Sequence, residues 1–191
     1  MSKKEYKNVT KTKNSIRNAL IDIFTEGETV SSISIIELCG KANITRGTFY
    51  NHYKSTKEVA YEIKSKFMEE FREVLMNADF SDEGRYEFYK KCGNYFENHK
   101  KIIIAITRSL SYKSILDIKE EIIETIFEII KEKLPNLISE TNKDLSPKLR
   151  LFANGVLISY IDSVLGNTSY TIQEFTEIAY KASRSFLHNR K

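Results

Sequence analysis

The chain is poor in residues that interrupt helices, with 2 prolines and 7 glycines among 191 residues. Many Ile, Leu, Lys and Glu residues accompany this scarcity, so the composition favours long helices. Long apolar runs are lacking too. The longest obvious one, residues 102–106, is far too short to span a bilayer. The first residues are charged with no apolar stretch behind them, so no secretory signal is expected and the protein reads as cytoplasmic. The two cysteines, Cys39 and Cys92, fall on different expected helices and read as reduced core residues. Asn-x-Ser/Thr triplets at Asn8, Asn43 and Asn167 are then chance matches. His52, His99 and His188 are scattered, and no His/Cys/acid cluster has metal-ligand spacing. His99 reads as a helix-end residue. There is no Gly-rich phosphate loop and no Gly-x-Ser-x-Gly. No metal, cofactor or membrane partner is expected, and an enzyme is the least supported class.

What is present is a sizeable apolar complement. The hydrophobic fraction is 41%, with 11 Tyr and 11 Phe, which excludes global disorder. The net charge of +4 is unevenly spread: residues 1–66 hold 12 Lys and Arg against 7 Asp and Glu, the remainder 18 against 19. A basic N-terminal third on a near-neutral body suggests a polyanion-binding module.

Periodicity predicts nine helices and no strand. Residues 1–11 read as a flexible basic arm carrying Lys3, Lys4, Lys7 and Lys11. In the first helix, about 12–26, Ile16, Ala19, Leu20, Ile23 and Phe24 share one face, and Gly27 is placed to end it. Ser34-x-x-Glu37 is a capping box for a helix over 34–41, with Ile33 and Leu38 as its staple. After a turn at Ala42-Asn43-Ile44, Thr45 caps a short helix over 45–53. Ser55 and Glu58 open a long helix to about 77. Further helices are expected at 85–98, 100–110, 113–134, 147–165 (behind Ser146-Pro147 as cap and first residue) and 172–187, the last opened by Thr171-x-x-Glu174 with Tyr170 and Phe175 as staple.

The informative stretch runs from Ile33 to Lys57. Two short helices joined by a tight turn form a helix-turn-helix pattern. At about 100° per residue, Phe49 and Tyr53 mark the inner face of the second helix, and Gly47 and Asn51 point outward. Glycine in a helix costs about 1 kcal/mol relative to alanine, so Gly47 calls for a compensating reason, and close backbone approach to a target is one. Arg46 suits a bidentate contact with guanine and Asn51 one with adenine. Thr45, Tyr50, His52 and Lys57 suit phosphate oxygens. Lys11, Ser34 and Thr48 complete the expected DNA-contact set.

Ile33-Ser34-Ile35-Ile36-Glu37-Leu38-Cys39 and Ala42-Asn43-Ile44-Thr45-Arg46-Gly47-Thr48-Phe49-Tyr50-Asn51-His52-Tyr53-Lys54-Ser55-Thr56-Lys57 resemble the DNA-binding signature of TetR/AcrR regulators. Asn43 stands where glycine is usual and Tyr53 where phenylalanine is usual. Asn also tolerates a left-handed backbone. The resemblance implies an all-α fold, with a helix-turn-helix domain over 1–57 and a ligand-binding and dimerisation domain over 58–191. It further implies a homodimer, a palindromic operator in duplex DNA and a small-molecule effector. The segment Phe152-Ala153-Asn154-Gly155-Val156-Leu157-Ile158-Ser159-Tyr160 loosely resembles the subgroup containing dihydroxyacetone-kinase regulators.

Candidate effector residues are Phe67, Phe71, Tyr89, Tyr95, Phe96, Thr107, Tyr112, Phe127, Asn154 and Tyr160, since small-ligand pockets are mostly apolar with a few polar groups. For dimerisation, Ala153, Gly155, Ser159 and Ser163 give one helix small residues, and Phe175, Ile178, Ala179, Ala182 and Phe186 give the next an apolar stripe. Two other readings stand beside the ligand-responsive repressor. One is a DNA-binding regulator controlled by a protein partner or without effector. The other is a helical interaction module with no DNA target.

Overall fold

The computed structural model describes residues 3–28, 32–81, 83–109, 111–135 and 145–187, with the backbone alone for 3–7, 108, 109, 112, 145 and 185–187. Among them are nine helices and no strand: α1 Lys3–Thr25, α2 Ile35–Lys41, α3 Arg46–Tyr50, α4 Thr56–Met76, α5 Arg85–Asn98, α6 Lys100–Ser109, α7 Tyr112–Lys133, α8 Leu145–Leu165 and α9 Ile172–Leu187. No described helix is long and apolar enough to cross a membrane.

Three helices depart from the sequence expectation. α1 begins at Lys3, so residues 3–11 are helical where a flexible arm is expected. A helix anchored by Ile16 and Leu20 propagates cheaply into residues of fair propensity, and apolar periodicity cannot register that. α3 ends at Tyr50, short of Tyr53, because its last turn tightens: the His52 N–H donates to the Phe49 carbonyl at 2.9 Å, an i→i−3 bond. α8 begins at Leu145, which puts Ser146 inside the helix instead of at its cap. Pro147 is then in the first turn, where its missing N–H costs nothing.

The local stop and start signals are otherwise as read. Asn43 has φ 54°. The Ile44 N–H donates to the Cys39 carbonyl at 3.0 Å and the Asn43 N–H to the Gly40 carbonyl at 3.1 Å, a Schellman closure of α2. At α9 the capping box is reciprocal: Glu174 N–H donates to Thr171 Oγ1 at 3.2 Å, and Thr171 N–H to Glu174 Oε2 at 2.8 Å. His99 caps α5 at its C-terminal end.

The chain divides into two compact units, Met1–Phe67 with Lys101–Ile115, and Met68–Lys100 with Leu116–Lys191. The first therefore reaches beyond residue 57, where the sequence reading drew its boundary. The reason lies in the core: Val59 and Ile63 of α4 and Ala105 of α6 are buried in one cluster with Ile16, Leu20, Leu38 and Phe49. In this unit Glu62 of α4 accepts hydrogen bonds from Lys13, at 2.8 Å, and from Arg17, both on α1. Burial pushes the Glu62 carboxyl up, but the Lys13 hydrogen bond and the charges of Lys13 and Arg17 outweigh it and hold the group below its ordinary range.

In the second unit α5 packs on α8 and α9. Tyr160, 2% exposed, places its hydroxyl 3.2 Å from Thr176 Oγ1 and donates to the Tyr89 carbonyl at 3.3 Å. Arg150 of α8 pairs with Glu120 and Glu124 of α7.

Candidate functional site

The candidate DNA-reading element is built from α2, the Asn43 turn and α3. Ser34 accepts from the Glu37 N–H at 3.1 Å and Thr45 from the Thr48 N–H at 3.1 Å, so both short helices start from satisfied caps. Leu38, Phe49 and Tyr53 are 0%, 0% and 2% exposed and fix the inner face. The Tyr53 ring also lies under Lys13 Nζ, 4.9 Å from its centroid.

The outer face follows from the same rotation. Ser34, Thr45, Arg46, Gly47, Tyr50, Asn51 and Lys57 are exposed, and Thr48 and His52 are half-buried. Lys11 is exposed on α1. The structure thus brings Thr45 to His52 onto one short segment, with Lys57 in the first turn of α4. The Thr45 and Thr48 hydroxyls lie 2.9 Å apart. Each hydroxyl has one proton, so the pair uses one internally and keeps one to donate outward. A Cβ at Gly47 meets only Thr45 Oγ1, at 3.8 Å, an ordinary contact. Nothing inside the described protein requires glycine there, which leaves the requirement to whatever docks outside.

A second site lies in the second unit, a cavity of about 120 Å³. Of the expected effector residues, Phe71, Tyr89, Phe96, Phe127 and Tyr160 line it. Phe67, Tyr95, Thr107 and Asn154 do not. Phe67 and Thr107 belong to the first unit, and the Thr107 hydroxyl is taken by the Ile103 and Ile104 carbonyls at 2.9 and 3.0 Å. Asn154 accepts from Lys119 at 3.0 Å and donates to the Arg150 carbonyl at 2.8 Å. Tyr95 is buried against Phe71 and His99. The Tyr112 side chain lies outside the described residues. Sequence reasoning missed Arg85, which lines the cavity at 5% exposure. The signal was its spacing: Arg85, Tyr89, Cys92 and Phe96 recur at i, i+4, i+7 and i+11 on one face of α5.

The expected dimer residues divide. Gly155 and Ile178 are exposed, Ser159 and Ser163 half-buried, and Phe175 and Ala182 half-buried. Ala179 is buried in its own chain at 4%, and the half-buried Ala153 lines the cavity. The Phe186 side chain lies outside the described residues. Leu151 and Ile158 of α8, 77% and 43% exposed, share a stripe with Gly155.

No family model matches the chain, and no curated protein does. Solved structures do. A TetR transcriptional regulator from Streptococcus agalactiae aligns with a TM-score of 0.55 at 20% identity, over 93% of this chain and 96% of that one. A protein from Mesorhizobium loti described as a TetR-family transcriptional regulator gives 0.59 at 13%, over 94% and 96%. A TetR-family regulator from Pectobacterium atrosepticum gives 0.50 at 15%, over 98% and 96%. The chain has the all-helical fold of TetR-family regulators.

Proposed function

We propose that the protein is a DNA-binding transcriptional regulator that reads a palindromic operator as a homodimer and answers to a small-molecule effector. The observation that carries this reading is the outer face of α3. It is polar, capped and anchored by Phe49 and Tyr53, and it presents an exposed Gly47 that no internal packing demands. Arg46 and Asn51 read bases, and Lys11, Ser34, Thr45, Thr48, Tyr50, His52 and Lys57 hold the backbone. The fold of regulators supports the reading.

Dimerisation uses the exposed stripe of Leu151, Gly155 and Ile158 on α8 with Ile178 on α9, since apolar side chains at these exposures gain by pairing across a two-fold axis. The effector occupies the cavity of the second unit. α4 is the coupling element, because its Val59 and Ile63 belong to the core beneath α3 and its Phe71 and Leu75 line the cavity. A ligand that favours another spacing of the two reading heads weakens binding by its differential affinity for the two states, typically about 1–3 kcal/mol.

The test is a DNA titration at stepped salt. Arg46→Ala should lose about 1–3 kcal/mol of discrimination between operator and mismatched duplex. Lys57→Ala should weaken all sequences alike and lower the salt slope by about one. Unchanged operator affinity in both variants would overturn the docking of α3 and favour a helical interaction module.

A further inference from the structure

The cavity of the second unit has an unusual chemical asymmetry. Phe71, Leu75, Phe88, Ile126, Phe152 and Leu157 give it hydrocarbon and aromatic walls from four helices. Among its described lining residues one carries a charge, Arg85, at the first position of α5. A guanidinium keeps its charge at every physiological pH, and its fork of five N–H donors matches a carboxylate through two parallel bonds. Two donors suffice for such a ligand, so the side chain can serve it alongside acceptors of its own. One turn along α5, Tyr89 lines the same wall, as does Ser183 from α9. Burial pushes the Tyr89 phenol up to about 12, so it stays protonated and able to donate at neutral pH. A cation and a neutral phenol are thus set into an otherwise apolar space, while the Ser183 hydroxyl donates to the Tyr180 carbonyl at 2.7 Å.

Size adds a second constraint. The cavity measures about 120 Å³. That is below the about 300–1,000 Å³ of pockets that take drug-sized ligands. A polycyclic drug-sized molecule is too large for it, and an inorganic anion leaves the walls uncovered.

We propose that this cavity takes a small amphiphilic carboxylate, with its head on Arg85 and an unbranched or singly ringed apolar body along the Phe71, Phe88 and Phe152 walls. The proposal rests on the reading of this cavity as the effector site and names the ligand class for it. A neutral alcohol of the same length gains the walls but only an uncharged head contact. An amine of that length places its cation against the guanidinium.

The experiment uses the full chain and three probes of matched length, octanoate, octan-1-ol and octylamine, below their micellar range. Binding is read by calorimetry and thermal shift, and DNA release by fluorescence anisotropy. Octanoate should bind about tenfold tighter than octanol, the margin of a charge-assisted over a neutral contact, and octylamine weakest. Arg85→Met should abolish the octanoate preference while octanol binding persists. Should that variant fail to fold, Ala153→Leu, which adds bulk to the α8 wall of the cavity, should weaken both ligands together. Octanol binding as tightly as octanoate, octylamine binding best, or no probe binding would each overturn the ligand class. Octanoate that binds through Arg85 yet leaves operator affinity unchanged would uphold the ligand class and refute the effector role. Loss of DNA binding in the unliganded wild type would refute the regulator reading and leave the binding result standing.

Discussion

Gly93 sits where α5 meets α9, and the consequences of giving it a side chain can be worked out from the geometry. A Cβ there falls 2.6 Å from Thr176 Oγ1, closer than real side chains come, and 3.0 Å from Ile172 Cγ2, a tight contact from which the neighbour must yield by a few tenths of an ångström. Thr176 is 4% exposed and cannot swing away freely, because its hydroxyl donates to the Ile172 carbonyl at 2.8 Å and lies 3.2 Å from the Tyr160 hydroxyl. Gly93→Ala must therefore push α5 from α9 or break that hydroxyl pair. Overpacking of this kind costs about 1–3 kcal/mol. A contact as short as 2.6 Å places the cost in the upper part of that range, about 2–3 kcal/mol, and alanine regains about 1 kcal/mol of helix propensity over glycine, so the net destabilisation should be about 1–2 kcal/mol. For a chain of this size each kcal/mol lowers the melting temperature by about 2–4 °C, giving a fall of about 2–8 °C.

A double-mutant cycle isolates the cause. Thr176→Ala alone should cost about 1 kcal/mol through lost hydrogen bonds. Combined with Gly93→Ala it removes the obstructing oxygen, so the pair should cost less than the sum by about 1 kcal/mol. Thermal and urea melts followed by circular dichroism measure all three variants. An unchanged or raised midpoint for Gly93→Ala, or strict additivity in the double variant, would refute the close approach of α5 and α9.

Other consequences concern charge and assembly. Because the folded state holds the Glu62 carboxyl below its ordinary value, Glu62 stabilises the fold above that value, and its contribution is lost as pH falls through the folded pKa. Glu62→Gln should flatten the acid limb of stability against pH while lowering stability at pH 7; an identical acid limb would contradict the role given to Lys13 and Arg17. Ile178 is 51% exposed, so Ile178→Glu should leave the monomer folded yet bury a charge at the proposed two-fold contact, halving the sedimenting mass. An intact dimer would move the interface elsewhere. Cys92, with burial pushing its thiol up to about 12, should resist alkylation at pH 8 until the chain is unfolded; fast modification in native buffer would show that the cavity wall opens.

The parts legible in the sequence are those fixed by neighbours in the chain. The left-handed Asn43, the Thr45 cap and the Thr171–Glu174 box depend on a few adjacent residues, and the inner face of α3 follows from 100° rotations starting at Phe49. The cavity depends on which apolar faces leave space between helices distant in sequence, and no periodicity reports that. Thr107 and Asn154 looked like polar groups for a ligand, yet the structure commits them to Ile103, Ile104, Lys119 and Arg150. Arg85 was not among the expected cavity residues, although its phase matches the half-buried Tyr89 and the buried Cys92 and Phe96. Residues 3–11 looked unstructured because they lack an apolar stripe, and a helix extending from an anchored core needs none.

The central claim is that α3 reads duplex DNA, and selection of bound sequences from a random duplex pool tests it most directly. The account predicts recovery of a palindrome whose half-sites are centred about one helical turn of DNA, or a multiple of it, apart, and loss of that palindrome when Arg46 and Asn51 are both replaced by alanine. A pool that shows no enriched sequence after repeated rounds at low salt, with the protein folded throughout, would contradict it.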